Sequence, residues 1–100
     1  MASRRQAVTS VLHELGFASS HQALKEITLL SAATQLAQYE EECARFERKY
    51  GMPFERFERQ LRRQQEHEDF AAEDDLMAWR FARDGVEHWR PRVEGLRRAV

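Results

Sequence analysis

The sequence predicts an all-α protein, a helical hairpin or bundle built around one long amphipathic helix. Glycine and proline, which interrupt helices, number only four and two in 100 residues. Two long stretches carry apolar residues at alternating spacings of 3 and 4, the period of a helix face. Because 42% of the residues are apolar, 33% are charged and the net charge is −1, we expect one soluble, cytoplasmic domain with no membrane association.

The first predicted helix spans residues 4–15, where Ala7, Val8, Val11, Leu12 and Leu15 share one face. Gly16 is predicted to end it, with Phe17 packing back on Leu12 as in a Schellman motif. Ser19 followed by Gln22 predicts the N-cap of the next helix.

The second predicted helix spans residues 20–50, a length of about 45 Å at ~1.5 Å per residue. A heptad seam runs along it through Leu29, Ala32, Leu36, Tyr39, Cys43, Phe46 and Tyr50. Since a chain this short has a thin core, we expect the seam to pack on an antiparallel last helix or on a second copy, and we predict a homo-oligomer held by Leu29, Leu36, Tyr39, Cys43, Phe46 and Tyr50.

A corner is predicted at Gly51-Met52-Pro53, between the long helix and a third helix over residues 53–65. Glycine suits the end of a helix, and proline suits the first turn of the next one. The triplet Phe-Glu-Arg occurs before the corner at residue 46 and twice after it, at residues 54 and 57. We interpret the repeated triplets as one apolar face with charged neighbours.

The last predicted helix spans residues 70–98, with Asp69 as its cap. Its seam runs through Trp79, Ala82, Val86, Trp89, Val93, Leu96 and Val100. Gly85 and Pro91 lie inside this seam, and proline removes a backbone donor and collides with the preceding turn. We therefore predict a kink or break near residues 85–91.

Residues 66–75, EHEDFAAEDD, carry six carboxylates and His67. Spacings typical of metal sites, such as Glu-x-x-His on facing helices, are missing from the sequence, and so are phosphate-binding loops and nucleophile motifs. Cys43 is the single cysteine, which excludes an intrachain disulfide. We predict no metal, no cofactor and no enzymatic activity, and interpret the acidic block as a helix start or a surface for a basic partner.

The stretch ELGFASSHQALKE, residues 14–26, is similar to the turn between the two helices of ribbon-helix-helix proteins, which bind DNA through an N-terminal strand. Residues 1–11, MASRRQAVTSV, fit a helix better than a strand. A DNA-binding regulator that contacts operator DNA stays open as an alternative, and so does a homodimeric helical scaffold.

From about residue 40 the chain resembles small helical antitoxin-like proteins of prokaryotic toxin–antitoxin pairs, the partners of TumE-type toxins. The resemblance is carried by KYGMPFERFE at residues 49–58, by EDDLMAWRFA at residues 73–82, and by Glu41, Cys43, Phe46, Glu47 and Trp89. It implies a non-enzymatic protein that binds and neutralises a cognate toxin.

Four residues of the C-terminal half are the predicted contacts with that partner. Met77 and Phe81 lie four residues apart on a face beside the seam, and this second apolar strip is interpreted either as core or as a docking strip. Asp74 and Asp75 would meet a basic region of the toxin.

Overall fold

The computed structural model describes residues 3–64 and 69–99. Within these residues the chain forms four helices and no strand: α1 (Arg4–Glu14), α2 (Ser20–Tyr50), α3 (Phe54–Arg63) and α4 (Phe70–Ala99). The predicted all-α fold class is confirmed for this part of the chain. Residues 66–68 of the acidic block, and with them His67, lie outside the described residues.

α2 and α4 form an antiparallel hairpin. The last turn of α2 meets the first turns of α4, where Lys49 Nζ lies 2.5 Å from Asp75 Oδ2. Arg90 reaches Glu40 further along the pair, at 3.3 Å. Near the start of α2, His21 and Ala99 line a common depression. The long helix thus finds its antiparallel partner within the same chain.

α3 closes one end of this hairpin, which we call the closed end. Phe54 and Phe57 of α3 are buried there with Phe46 of α2 and Trp79 of α4, and the last two are each 1% exposed. The ring of Trp79 lies 5.4–5.6 Å from the rings of the three phenylalanines, measured between centroids. These rings form the centre of the core.

The opposite end, where α2 begins and α4 finishes, we call the open end. Small residues dominate its interior, with Ala23 and Ala32 buried on α2 and Val93 buried on α4. α1 precedes this end and buries none of its residues. The chain is accordingly elongated, with extents of 70 × 30 × 18 Å.

The corner between α1 and α2 has the predicted caps. Gly16 has a φ of +93°, and its N–H donates to the carbonyl of His13 while Phe17 N–H donates to that of Leu12, each at 3.0 Å. These two bonds define a Schellman motif. Ser19 Oγ then accepts from Gln22 N–H at 3.1 Å and begins α2.

Two further boundaries depend on short-range capping. Gly51 follows α2 directly and has a φ of +65°. This left-handed conformation is one that glycine adopts at little cost, because it has no Cβ. Asp69 Oδ1 accepts from Ala72 N–H at 3.1 Å at the start of α4, as the sequence predicts.

α4 continues without interruption through Gly85 and Pro91, so of the kink or break predicted near residues 85–91, the break is not found and the kink stays a prediction. Pro91 is exposed, and Ala82 and Val93 on either side of it are buried, so packing holds the helix on both sides. The guanidinium of Arg92 donates to the carbonyl of His88 at 2.6 Å and supplies a hydrogen bond in the turn before the proline. Tertiary packing therefore overrides the local penalty.

Candidate protein-binding surface

An exposed apolar strip runs along α4 on the side away from the core. Phe70, Met77 and Phe81 are separated by seven and four residues and therefore lie on one helix face. They are 68%, 68% and 66% exposed, although Ala72, Trp79 and Ala82 of the same helix are buried. We call Phe70, Asp74, Met77 and Phe81 the α4 strip, because Asp74 occupies the remaining turn of this face.

Of the four predicted partner contacts, the structure brings Asp74, Met77 and Phe81 together on this strip. Asp75 points elsewhere, and its carboxylate accepts hydrogen bonds from Lys49 Nζ and from the phenol of Tyr50. The predicted role of Asp75 at a partner surface stays a prediction, and within the chain its charge joins α4 to α2.

The contact between Asp75 and Tyr50 changes the acidity of both groups. The Lys49 ammonium and the Tyr50 hydroxyl hold the pKa of the Asp75 carboxyl below its ordinary value. Burial, followed by the hydrogen bond to Asp75, raises the pKa of Tyr50 to about 12. Asp75 is consequently ionised and Tyr50 protonated at neutral pH.

The ring of Phe81 packs on the ring of Tyr39 of α2. The two rings meet edge to face, with centroids 5.8 Å apart. Tyr39 in turn lies against Gly85, where an added Cβ would come within 2.4–2.6 Å of the ring carbons of Tyr39. Gly85 therefore permits the close approach that seats Tyr39, and Tyr39 fixes the position of the exposed Phe81.

A groove of about 520 Å³ borders the strip on the α2 side, where Gln38, Tyr39 and Glu42 face Met77, Ala78, Phe81 and Ala82. Glu73 and Asp84 flank the strip on α4, and these two carboxylates and that of Asp74 within the strip are exposed. None of these three carboxylates forms an ion pair with another residue in the described ranges. The strip thus combines apolar anchors with unneutralised negative charge.

The seam predicted to hold an oligomer is used inside the chain at its C-terminal part. Phe46 stacks on Trp79, with centroids 5.6 Å apart, and Cys43 and Tyr50 pack against the same core cluster. Tyr39 faces Gly85 of α4. Leu29 and Leu36, nearer the open end, are half-buried.

A second concave surface lies between α2, α3 and α4, with a volume of about 410 Å³. Two ion pairs cross between its helices: Arg83 lies 2.7 Å from Glu55, and Arg90 lies 3.3 Å from Glu40. Cys43 borders this surface, and burial raises the pKa of its thiol. A thiol in such a setting is a poor nucleophile at neutral pH.

A third concave surface, the α2–α4 groove, lies at the open end and has a volume of about 760 Å³. It is lined by Ile27, Thr28, Ser31, Ala32 and Gln35 of α2 and by Trp89, Arg92, Gly95 and Leu96 of α4. An added Cβ at Gly95 would meet no atom within 4 Å. The groove is therefore open to an external side chain.

One residue of the strip and one whole surface were not predicted from the sequence. Phe70 was not assigned to the strip, although its spacing of seven from Met77 was a usable signal. The α2–α4 groove had no such signal, because it depends on the register of α2 against α4.

Helix α1 occupies the segment where a ribbon-helix-helix protein needs a strand. A DNA-reading ribbon is therefore not formed by residues 4–14. In the residues that the structure describes, no group of three or more His, Cys, Asp or Glu side chains is placed to hold a metal ion. None of the described helices is long and apolar enough to cross a membrane.

Comparison of the chain with protein-family models, with curated proteins and with solved structures finds no match. The functional argument therefore depends on the surfaces of the molecule and on the resemblance seen in its sequence.

Proposed function

We propose that this chain is a non-enzymatic, antitoxin-like protein that binds a cognate toxin and neutralises it by covering part of its surface. The observation that carries the proposal is the α4 strip, on which Phe70, Met77 and Phe81 are each about two-thirds exposed. Aromatic side chains held on a rigid element are typical anchors of tight interfaces.

One anchor of the strip, Phe81, is positioned before any partner binds. Phe81 rests on Tyr39, and Tyr39 is seated on Gly85. A side chain that is already fixed loses little conformational entropy on binding, which favours affinity. This argues for the docking interpretation of Met77 and Phe81 over the core interpretation.

The charges around the strip favour a basic partner. Glu73, Asp74 and Asp84 surround the apolar anchors, whereas the nearby Arg80 is paired with Glu58 of α3. Carboxylates at the rim of an interface chiefly accelerate association with a cationic protein, and this effect weakens as salt concentration rises. The apolar anchors would then set the dissociation rate.

The proposal is tested by co-expressing the chain with the protein encoded by the adjacent reading frame, and by measuring growth rescue and co-purification. Phe81→Ala together with Met77→Ala should abolish both. Leu30→Ala is the matched control, because Leu30 is 67% exposed on α2, outside the strip. Rescue and co-purification that survive the loss of both anchors would exclude this surface.

The electrostatic part has its own test. Asp74→Asn should slow association several-fold at low salt and lose its effect at high salt. Glu94→Gln removes one charge from an exposed position on the same helix away from the strip, and should leave the association rate unchanged. Equal effects from the two variants would show that the strip has no special electrostatic role.

The main rival is a homodimeric scaffold that needs no other protein. If the neighbouring protein neither harms growth nor co-purifies with the chain, the toxin-binding proposal fails and the scaffold is favoured.

A further inference from the structure

The open end of the molecule presents two apolar surfaces that residues 3–64 and 69–99 leave uncovered. Val8 and Val11 of α1 and Leu15, the C-cap residue that follows it, form the apolar surface that we call the α1 stripe, and each is half or more exposed. The α2–α4 groove beside it is open over Gly95. A helix of 11 residues is marginal in water when it buries nothing, so the α1 stripe requires a surface to cover it.

We propose that the α2–α4 groove binds the α1 helix of a second copy of this chain, so that two molecules exchange their α1 helices reciprocally. The lengths of the two parts are compatible. The lining of the groove on α2 extends from Ile27 to Gln35, about 12 Å at ~1.5 Å per residue. The α1 stripe, from Val8 to Leu15, spans about 11 Å on the same scale.

The corner between α1 and α2 explains why the occupant comes from another molecule. Gly16 and Phe17 complete the Schellman motif at the end of α1, and Ser19 caps the start of α2. Folding α1 back into its own groove would change this five-residue corner and break both sets of hydrogen bonds. The corner thus directs the α1 stripe away from its own hairpin.

The position of the two surfaces suits a two-fold arrangement. Both lie at the open end, so an axis beside that end brings each α1 to the groove of the other chain. Such an isologous contact closes on itself and yields a dimer.

The exposed area is sufficient for a stable dimer. Val8, Val11, Leu15, Leu24 and Ile27 are between 47% and 67% exposed. At roughly 100 Å² for each aliphatic side chain, the five supply about 500 Å² of apolar area per chain. Since about 57% of an interface is apolar, roughly 900 Å² per chain would be covered, near the ~800 Å² per partner of a standard interface.

The exchange is tested first by sedimentation equilibrium on the full chain at micromolar concentrations. The parent chain should be a dimer. Val11→Asp and Gly95→Glu should each raise the dimer dissociation constant about 100-fold or more, because each buries a charge in the contact. Both positions are open in the single chain, so α2, α3 and α4 should still fold and unfold cooperatively in the monomeric variants, which circular dichroism with urea titration checks. Phe81→Asp is the control and should leave the dimer intact.

A cross-linking experiment identifies the occupant of the groove. In a Cys43→Ser background, chains carrying Val11→Cys are mixed with chains carrying Gly95→Cys and oxidised. A disulfide between the two kinds of chain is expected.

Four results would overturn the proposal. They are a monomeric parent chain at tens of micromolar, a dimer that survives Val11→Asp and Gly95→Glu, a dimer whose mixed cysteine chains form no cross-link, or an intrachain disulfide when both cysteines are placed in one molecule. Loss of neighbour-protein binding in Val11→Asp with a monomeric parent would assign the α1 stripe to that protein instead.

Discussion

At the closed end of the hairpin, large rings from three helices meet around Trp79, while at the open end small residues separate α2 from α4. Trp79 contacts the rings of Phe46, Phe54 and Phe57. The other tryptophan, Trp89, is half-buried and lines the α2–α4 groove. The closed end holds the core of the single chain, whereas the open end leaves apolar side chains exposed, which the proposed exchange of α1 would cover.

The largest expected difference between the two ends concerns the tryptophans. Trp79→Ala should lower the free energy of unfolding by about 3–5 kcal/mol, because it removes the ring on which the closed end packs. Trp89→Ala should cost clearly less, since part of its ring already faces the groove. Urea titration followed by circular dichroism measures both values. Equal losses would mean that the two ends contribute equally to stability.

The glycines of α4 give the next contrast. Gly85→Ala places a methyl group 2.4–2.6 Å from the ring carbons of Tyr39, an overlap that should cost about 1–3 kcal/mol. Gly95→Ala meets no atom and should gain up to ~1 kcal/mol from helix propensity.

The clash can be removed to check its cause. In a Tyr39→Ala background, Gly85→Ala should become neutral or stabilising, because the ring that it would strike is gone. Thermal unfolding at low protein concentration measures all of these variants. A Gly85→Ala penalty that persists without Tyr39 would assign the cost to another contact.

The seams and caps of this fold were readable from the sequence, whereas the contacts between helices were not. The 3–4 spacing in residues 20–50 and the glycines at 16 and 51 depend on local rules, and the structure has a helix and two left-handed glycines at those places. A break predicted at Gly85 and Pro91 is not found, because local propensity takes no account of the packing of Tyr39 on Gly85.

The candidate surface was foreseen only in part, for a similar reason. Met77 and Phe81 share a face by spacing alone, but their exposure depends on which face of α4 meets α2. Asp75 was assigned to the partner surface because of the charge of its block, yet Lys49 and Tyr50 come from a segment 25 residues earlier. Such pairings follow from the register of the hairpin, which one sequence does not encode as a local pattern.

The two left-handed glycines offer a smaller contrast. Gly51→Val should cost more than ~1 kcal/mol, because a β-branched residue is strained at a φ of +65°. Gly51→Asn should retain most of the stability, since asparagine tolerates this conformation. Gly16→Val imposes a similar strain at the open end, where α1 buries no residue, so global stability should change less. Denaturant titration compares the three, and a Gly16→Val loss equal to that of Gly51→Val would show that α1 is coupled to the core.

The smallest expected effect is a pH dependence at the closed end, through Tyr50 and Asp75. The folded state raises the pKa of Tyr50 from 10.0 to about 12, first by burial and then by the hydrogen bond to Asp75. A raised pKa means that folding favours the protonated phenol. The contribution of Tyr50 to the free energy of unfolding is therefore present below about pH 10 and is lost as pH rises towards about 12. Tyr50→Phe should flatten the fall of the melting temperature over that window.

Asp75, the carboxylate that accepts the hydrogen bond from Tyr50, affects stability at acid pH. Its stabilising contribution is lost as pH falls, whereas that of Tyr50 is lost as pH rises. The pKa of Asp75 is lowered from 3.8, first by Lys49 and then by Tyr50, so its contribution is present above about pH 4 and lost as pH falls through the lowered value. Asp75→Asn should therefore remove part of the acid-induced loss of stability and leave neutral-pH binding to the neighbouring protein unchanged. Asp74→Asn, at the exposed neighbour, should show the reverse: an altered association rate and an unaltered acid transition. An acid transition that responds equally to both substitutions would mean that Asp75 has no special role in joining α4 to α2.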